Sequence, residues 1–187
     1  MTAIKVCLVT ILMTVIYVLA SVLLSNTLFF KSSNGSLIIE NNNVLGSELI
    51  GQNFTQPVYF HNRLSSNNYK NDISGNSNLP YFSKTLKDKT FNTYKKYVDD
   101  FKTNNISLNL ATESASGLDP HITYDDAIIQ AGKISAHSRI DKHIILNIIN
   151  KSSRPRILNL FGEKIVNVLE LNIELKKILE AKSSKVR

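Results

Sequence analysis

The sequence predicts a single N-terminal transmembrane helix followed by one mixed α/β extracytoplasmic domain. Three observations predict it. Residues Val6 to Phe30 contain no charge, no Gly and no Pro. Beyond them, helical and strand-like apolar spacings alternate with Gly- and Pro-marked turns and form no clear βαβ repeat. Third, the only cysteine, Cys7, lies inside the apolar run, which excludes an intrachain disulfide and a Cys-based zinc site. The chain has 187 residues. Setting the apolar segment aside leaves roughly 150 residues, enough for one domain with a real core. The expected organisation is a short cytoplasmic N-terminus at 1–5, a transmembrane helix at 6–30 and an extracytoplasmic domain at 31–187.

Twenty-five residues of α-helix extend about 37 Å, against a hydrocarbon core of about 30 Å. The helix is therefore long enough to span with some tilt or a frayed end. Asn26 and Thr27 mark the far interface, with Phe29, Phe30 and Lys31 at or beyond it. A cleaved signal peptide is the competing reading, because Val18-Leu19-Ala20 precedes Ser21. Hydrophobicity continues through Val22, Leu23 and Leu24, which favours a retained anchor. Lys5 and the terminal amine on one side, against Lys31 on the other, lean towards a cytoplasmic N-terminus in the cell membrane.

Within the span, Thr10, Thr14, Tyr17, Ser21 and Ser25 fall within an arc of about 80° on a helix. Small hydroxyl residues on one stripe let another helix approach closely and hydrogen-bond across the contact. The competing reading has each hydroxyl bond back to its own helix four residues earlier.

Residues 31–47 read as a polar connector with one short strand at Leu37-Ile38-Ile39. Residues 46–60 mix apolar and aromatic residues with Gly and Pro, as short strands and turns do. Residues 61–80 are a long polar loop, a kind that is usually functional or disordered. A helix is predicted from Ser83, as N-cap, to Lys102, with Tyr94, Tyr97, Val98 and Phe101 facing the core. Ser107 to Leu110 reads as a short strand. Thr123 is a good N-cap, with Asp126 as its capping-box acid and Ala127, Ala131 and Ile134 on one face. A second short helix is expected through Ile140, Ile144 and Ile148 to Ile149. Arg154 to Glu163 turns the chain. Ile165 to Leu175 reads as a buried strand, followed by a helical tail from Ile173 to Leu179.

Composition excludes several functions. The net charge is +7, from 22 basic and 15 acidic residues, but the lysines are scattered, so a nucleic-acid partner is not expected. The Asn runs at 41–43 and 67–68 are attributed to AT-rich coding and given little functional weight. Ser116, Asp119 and His121 invite a hydrolase reading, but the G-x-S-x-G elbow is absent and a turn explains S-G-L-D-P-H. His61, His121, His137 and His143 lack zinc spacing, so no metal is expected. No G-x-x-x-x-G-K-[ST] loop is present. The residues alone therefore suggest an anchored binding domain with no catalytic constellation.

Five ordered segments resemble the C subunit of the Kdp potassium-transporting ATPase, the KdpC family. They are Gly46-Ser47 to Phe60, running into His61 and Arg63-Leu64-Ser65; Ser74 to Leu79; Ser114-Ala115-Ser116-Gly117-Leu118-Asp119-Pro120-His121-Ile122; Gln130 to Arg139; and Val166-Asn167-Val168-Leu169-Glu170-Leu171-Asn172. Leu64, Asn76 and Ala115 depart from the family pattern, as does the Gly132-Lys133 pair. The resemblance implies a non-catalytic accessory subunit of an ATP-driven potassium uptake complex in the cell membrane. Its implied partners are a potassium-channel-like subunit and a P-type ATPase subunit. Its implied role is to assist assembly and raise ATP affinity, binding no cofactor alone but sharing ATP in a ternary complex, with Gln130 linked to the nucleotide by family analogy. Partner contacts are expected on the hydroxyl stripe and at Arg63, Ser65, Ser74, Asn78, Ser116, Asp119 and His121. An anchored binding module unrelated to ion pumping would share the span but not the five ordered motifs.

Overall fold

The computed structural model describes residues 2–156, 158 and 160–186. The chain forms two compact units, divided between Ser47 and Glu48. In the first, helix α1 runs from Thr2 to Leu28, about 40 Å at 1.5 Å per residue, and none of its residues is buried within the chain. It is long and apolar enough to cross a membrane. A one-turn helix α2, Phe30–Ser33, follows.

Strands β1, Leu37–Glu40, and β2, Asn43–Ser47, then form an antiparallel hairpin. Glu40 pairs with Asn43, so the turn is two residues long. Its residues Asn41 and Asn42 both have positive φ, +50° and +64°. Two left-handed residues in a row match the primed turn whose twist suits a hairpin, and asparagine is one of the few residues that adopts it at low cost. The Asn run at 41–43 thus has a structural reason beyond codon bias.

In the second unit, residues 48–80 run largely without regular structure: the loop expected over 61–80 is there, but of the short strands expected over 46–60 none forms beyond Ser47. Helix α3, Lys84–Phe101, starts at Ser83, whose hydroxyl accepts from Leu86 N–H. Tyr94, Tyr97, Val98 and Phe101 pack against the core as their spacing predicted. Ser107–Leu110 is not a strand. It is the start of one helical turn, α4, Leu108–Ala111, capped by the Ser107 hydroxyl. That serine also donates to Asp126 Oδ2 at 2.6 Å, which fixes the turn against the next helix.

Strand β3, His121–Thr123, leads into helix α5, Tyr124–Ser138. Thr123 Oγ1 accepts from Asp126 N–H at 3.1 Å, and donates to Asp126 Oδ2 at 2.7 Å. The acid therefore joins Thr123 and Ser107 by their hydroxyls rather than reaching back to the N-cap backbone. Ala127, Ala131 and Ile134 are buried. Helix α6, Lys142–Ser152, is capped by Asp141. Its buried face is Ile145, Ile148 and Ile149, whereas Ile144 is exposed. Of the expected series Ile140, Ile144 and Ile148, the first and last are buried and only Ile144 is exposed, because the core-facing side of α6 follows the Ile145, Ile148, Ile149 spacing.

Strands β4, Ser153–Arg154, and β5, Ile165–Asn167, complete a three-stranded antiparallel sheet in the order β3-β5-β4. The expected strand to Leu175 stops after three residues. Asn167 Oδ1 accepts from Leu169 N–H and Glu170 N–H, which caps a helix at that point. Helix α7, Val168–Val186, therefore replaces both the longer strand and the separate tail. Val168, Leu171, Asn172 and Leu175, at helical spacing, are its buried stripe.

Candidate functional site

The long loop is held by side-chain amides. Phe60 is fully buried. Its N–H donates to Asn172 Oδ1 at 2.8 Å, and its carbonyl accepts from Asn172 Nδ2 at 3.0 Å. The next residue repeats the arrangement with another helix: His61 N–H donates to Gln130 Oε1 at 2.8 Å, and its carbonyl accepts from Gln130 Nε2 at 3.0 Å. Successive residues of an extended chain present their backbone groups to opposite sides. Asn172 of α7 and Gln130 of α5 thus act as substitute strands on the two edges of a two-residue segment. Gln130 is 1% exposed, so its amide is committed inside the domain.

Beyond this bracket the loop folds against the S-G-L-D-P-H turn. Ser65 Oγ donates to the Gly117 carbonyl at 2.7 Å and also lies 2.7 Å from Asn67 Oδ1. Gly75 N–H donates to the Ser116 carbonyl at 2.7 Å, and Ser66 Oγ donates to the Gly75 carbonyl at 2.8 Å. Asn67 Nδ2 donates to the Ile73 carbonyl. Gly117 has φ +68°, and a Cβ there would sit 2.6 Å from the Gly75 carbonyl oxygen. Conformation and space both require glycine at this point. At Gly51 space alone is the constraint: a Cβ would lie 2.6 Å from the Asp119 carbonyl oxygen.

Arg63, Asp119 and His121 meet on one side of this turn. Arg63 Nη1 lies 3.1 Å from Asp119 Oδ2, and its Nε donates to the Asn109 carbonyl at 2.9 Å. Asp119 Oδ1 accepts from His121 N–H at 3.0 Å and lies 3.5 Å from His121 Nδ1. Burial pushes the Asp119 carboxyl up, but the His121 hydrogen bonds and the Arg63 charge outweigh it, and its pKa falls below the ordinary value. His121 Nε2 and Asn62 Oδ1 are buried with no hydrogen-bond partner among the described residues.

Arg63 also borders a polar cleft of about 380 Å³ with His61, Tyr69, Lys96, Asp100 and Lys133. Lys133 pairs with Asp100 at 3.0 Å. His61 Nδ1 lies 2.6 Å from the Phe54 carbonyl, so that nitrogen carries the proton and donates. Burial lowers the His61 pKa, and the Phe54 bond offsets this only in part.

The predicted contact residues therefore divide. Ser65, Ser74, Ser116, Arg63, Asp119 and His121 are brought together, largely by bonds to one another's backbone. Ser65 is 7% exposed, which commits it to the interior of the cluster. Asn78 is exposed, with φ +51°, and its N–H donates to Asn76 Oδ1. Ser116 Oγ accepts from Leu118 N–H, and among the described residues no hydrogen bond joins it to His121. In α1, Thr10, Thr14 and Ser21 donate to the carbonyls of Val6, Thr10 and Tyr17, each four residues earlier. Tyr17 and Ser25 lie on the same stripe. Among the described residues no group of three His, Cys, Asp or Glu side chains could hold a metal ion.

Several organising residues escaped the sequence reading. Asn67 and Tyr69 belong to the loop cluster, and Tyr69 Oη bonds the Arg63 carbonyl. The adjacent Asn-Asn at 67–68 was the available signal, because Asn tolerates left-handed φ and caps its own loop. Asn68 does have φ +54°. Glu113 receives Lys89 Nζ and Ser77 N–H, a link between α3 and the loop that no local pattern signals.

Comparison with known proteins gives consistent matches. Residues 1–177 match the family described as KdpC: K+-transporting ATPase, c chain. The chain is similar to the "Potassium-transporting ATPase KdpC subunit" of Bacillus cereus strain Q1, with 40% identity over 153 residues, covering 80% of this chain and 79% of that one. The proteins of the same description from Bacillus thuringiensis subsp. konkukian strain 97-27 and Bacillus anthracis match at the same identity and coverage.

Proposed function

Because the chain belongs to the KdpC family, the c chains of K+-transporting ATPases, we propose that it is a non-catalytic accessory subunit which docks on its partners and assists their assembly. The single observation that carries this reading is the match over residues 1–177, in which an apolar helix and a domain of tightly bonded loops occur together. The partners are a potassium-channel-like subunit and a P-type ATPase subunit. In this reading α1 crosses the cell membrane with its N-terminus cytoplasmic, and the α/β domain is extracytoplasmic. The hydroxyl stripe of α1 meets a partner helix, and the loop cluster around Arg63 and Asp119 supplies further contacts.

The chain also raises the ATP affinity of the hydrolysing subunit. An external domain cannot touch cytoplasmic nucleotide, so the effect requires different affinities for two states of the pump. The buried Gln130 amide supports an indirect role for that residue, since both its ends are used by His61. Co-purification in detergent tests the reading. The expected result is recovery with a channel-like chain and an ATPase chain, and a lower KM for ATP in the complex than in a preparation lacking this subunit. Recovery of the chain by itself would overturn it.

A further inference from the structure

The core-facing stripe of α3 is longer than the core that covers it. Tyr94, Tyr97, Val98 and Phe101 pack inward, but the same stripe continues towards the N-terminus to Phe91, which is 65% exposed. There it borders an apolar groove of about 520 Å³ with Tyr81, Leu86 and Leu108. Tyr81 is 84% exposed and Leu108 66% exposed. Phe82, 67% exposed, stacks edge-on against Tyr81 at 5.4 Å. Single exposed apolar residues are ordinary, but a contiguous group of three aromatics and a leucine requires something to cover it.

The charges around the groove identify the cover. Lys87 lines the groove, and Lys84 and Lys95 are exposed nearby on α3, against one exposed acid, Asp88, within residues 81–96; the exposed Asp99 and Asp100 lie at the far end of the helix. Aromatic rings beside lysines, on a helix with one uncovered apolar face, have the chemistry of a segment lying in the headgroup region of an anionic bilayer. An apolar protein surface would match the rings but not the basic flank. We propose that residues 81–96 rest on anionic lipid, giving the second unit its own contact with the bilayer that α1 enters. This rests on the reading of α1 as a retained anchor. A tethered contact of this kind needs little intrinsic affinity, because the span supplies a high local concentration of lipid.

The chain contains no Trp, so one introduced Trp reports on its own surroundings. The full chain would be reconstituted in vesicles of phosphatidylcholine with phosphatidylglycerol, with brominated acyl chains as quencher. Phe91→Trp and Phe82→Trp would be compared with Ile73→Trp, an exposed position away from the groove. Flotation of the chain with vesicles after alkaline washing reads the anchor separately. The expected result is at least about twofold stronger quenching at 82 and 91 than at 73, reduced when Lys84 and Lys87 are both changed to Glu or when phosphatidylglycerol is omitted. Equal quenching at all three positions in a chain that floats would overturn the proposal. So would a Phe91→Trp indole left unquenched by lipid yet shielded when partner subunits are added, which would make the groove a protein interface. A chain that fails to float would overturn the anchor reading and the proposal built on it.

Discussion

Asn172 and Gln130 illustrate how much a single side chain can hold. Each satisfies both backbone groups of a residue in the 60–61 segment. Asn172→Ala orphans the N–H and the carbonyl of a fully buried residue, at about 1–3 kcal/mol for each group. Urea unfolding of the chain in detergent should show that loss. Asn172→Asp, which turns a buried carboxylate oxygen towards the Phe60 carbonyl, should be at least as destabilising as Ala. Gln130→Ala should be destabilising in the same assay without any nucleotide present. His61 supplies a pH dependence of known sign. Its folded pKa is depressed below 6.5, chiefly by burial. The unfolded chain thus binds the proton more readily, and the contribution is complete above pH 6.5 and lost as pH falls through the folded value. The unfolding midpoint should therefore drop between about pH 7.5 and 5.5. His61→Gln, which retains a donor for the Phe54 carbonyl, should flatten that slope.

Among the elements, those whose patterns are local were legible. Ser83 and Thr123 announce α3 and α5, and the Leu37-Ile38-Ile39 run announces β1. The hairpin turn was overlooked although its two asparagines are a recognised primed-turn pair. Asn42→Val should cost about 1–2 kcal/mol of hairpin stability, because a β-branched residue pays fully for φ +64°. Asn42→Gly should be nearly neutral, and amide exchange across 37–47 would separate the two. The boundary at Asn167 was hidden for a different reason. Val166, Val168 and the leucines fit strand and helix alike, and only the cap formed by Asn167 decides between them. Three hydroxyls of the α1 stripe, Thr10, Thr14 and Ser21, are satisfied by their own helix, but an oxygen that donates backwards can still accept from a neighbour. Leu at Thr14, Tyr17 and Ser21 together should cut co-purification of partners about tenfold, since such contacts are worth about 1–2 kcal/mol. Unchanged recovery would show the stripe to be incidental.

At the level of the whole molecule, the sequence established the family through five ordered segments rather than through any one site. Most of the residues in those segments turn out to bond to one another. Ser65 with Gly117, Gly51 against Asp119, and Gln130 with His61 are tertiary pairs, and nothing in the linear spacing tells which motif meets which. The candidate site was thus legible as a set of positions and illegible as an arrangement. Arg63 with Asp119 is an example: both residues were singled out, but their ion pair spans 56 positions. The proposed lack of catalysis concerns the whole chain and can be tested as such. The purified subunit should release no phosphate from ATP by itself, and Ser116→Ala should leave that background unchanged.

The double amide bracket has a consequence for how the protein is made. Asn172 lies 112 positions after Phe60. While the ribosome is still reading the middle of the message, Phe60 has no counterpart to close on. Its backbone must stay hydrated or borrow a substitute until α7 is translated. The loops that α7 seals are consequently the last part of the nascent subunit to become protected. A premature stop codon upstream of Asn172 would leave that seam open and expose it to quality-control proteases.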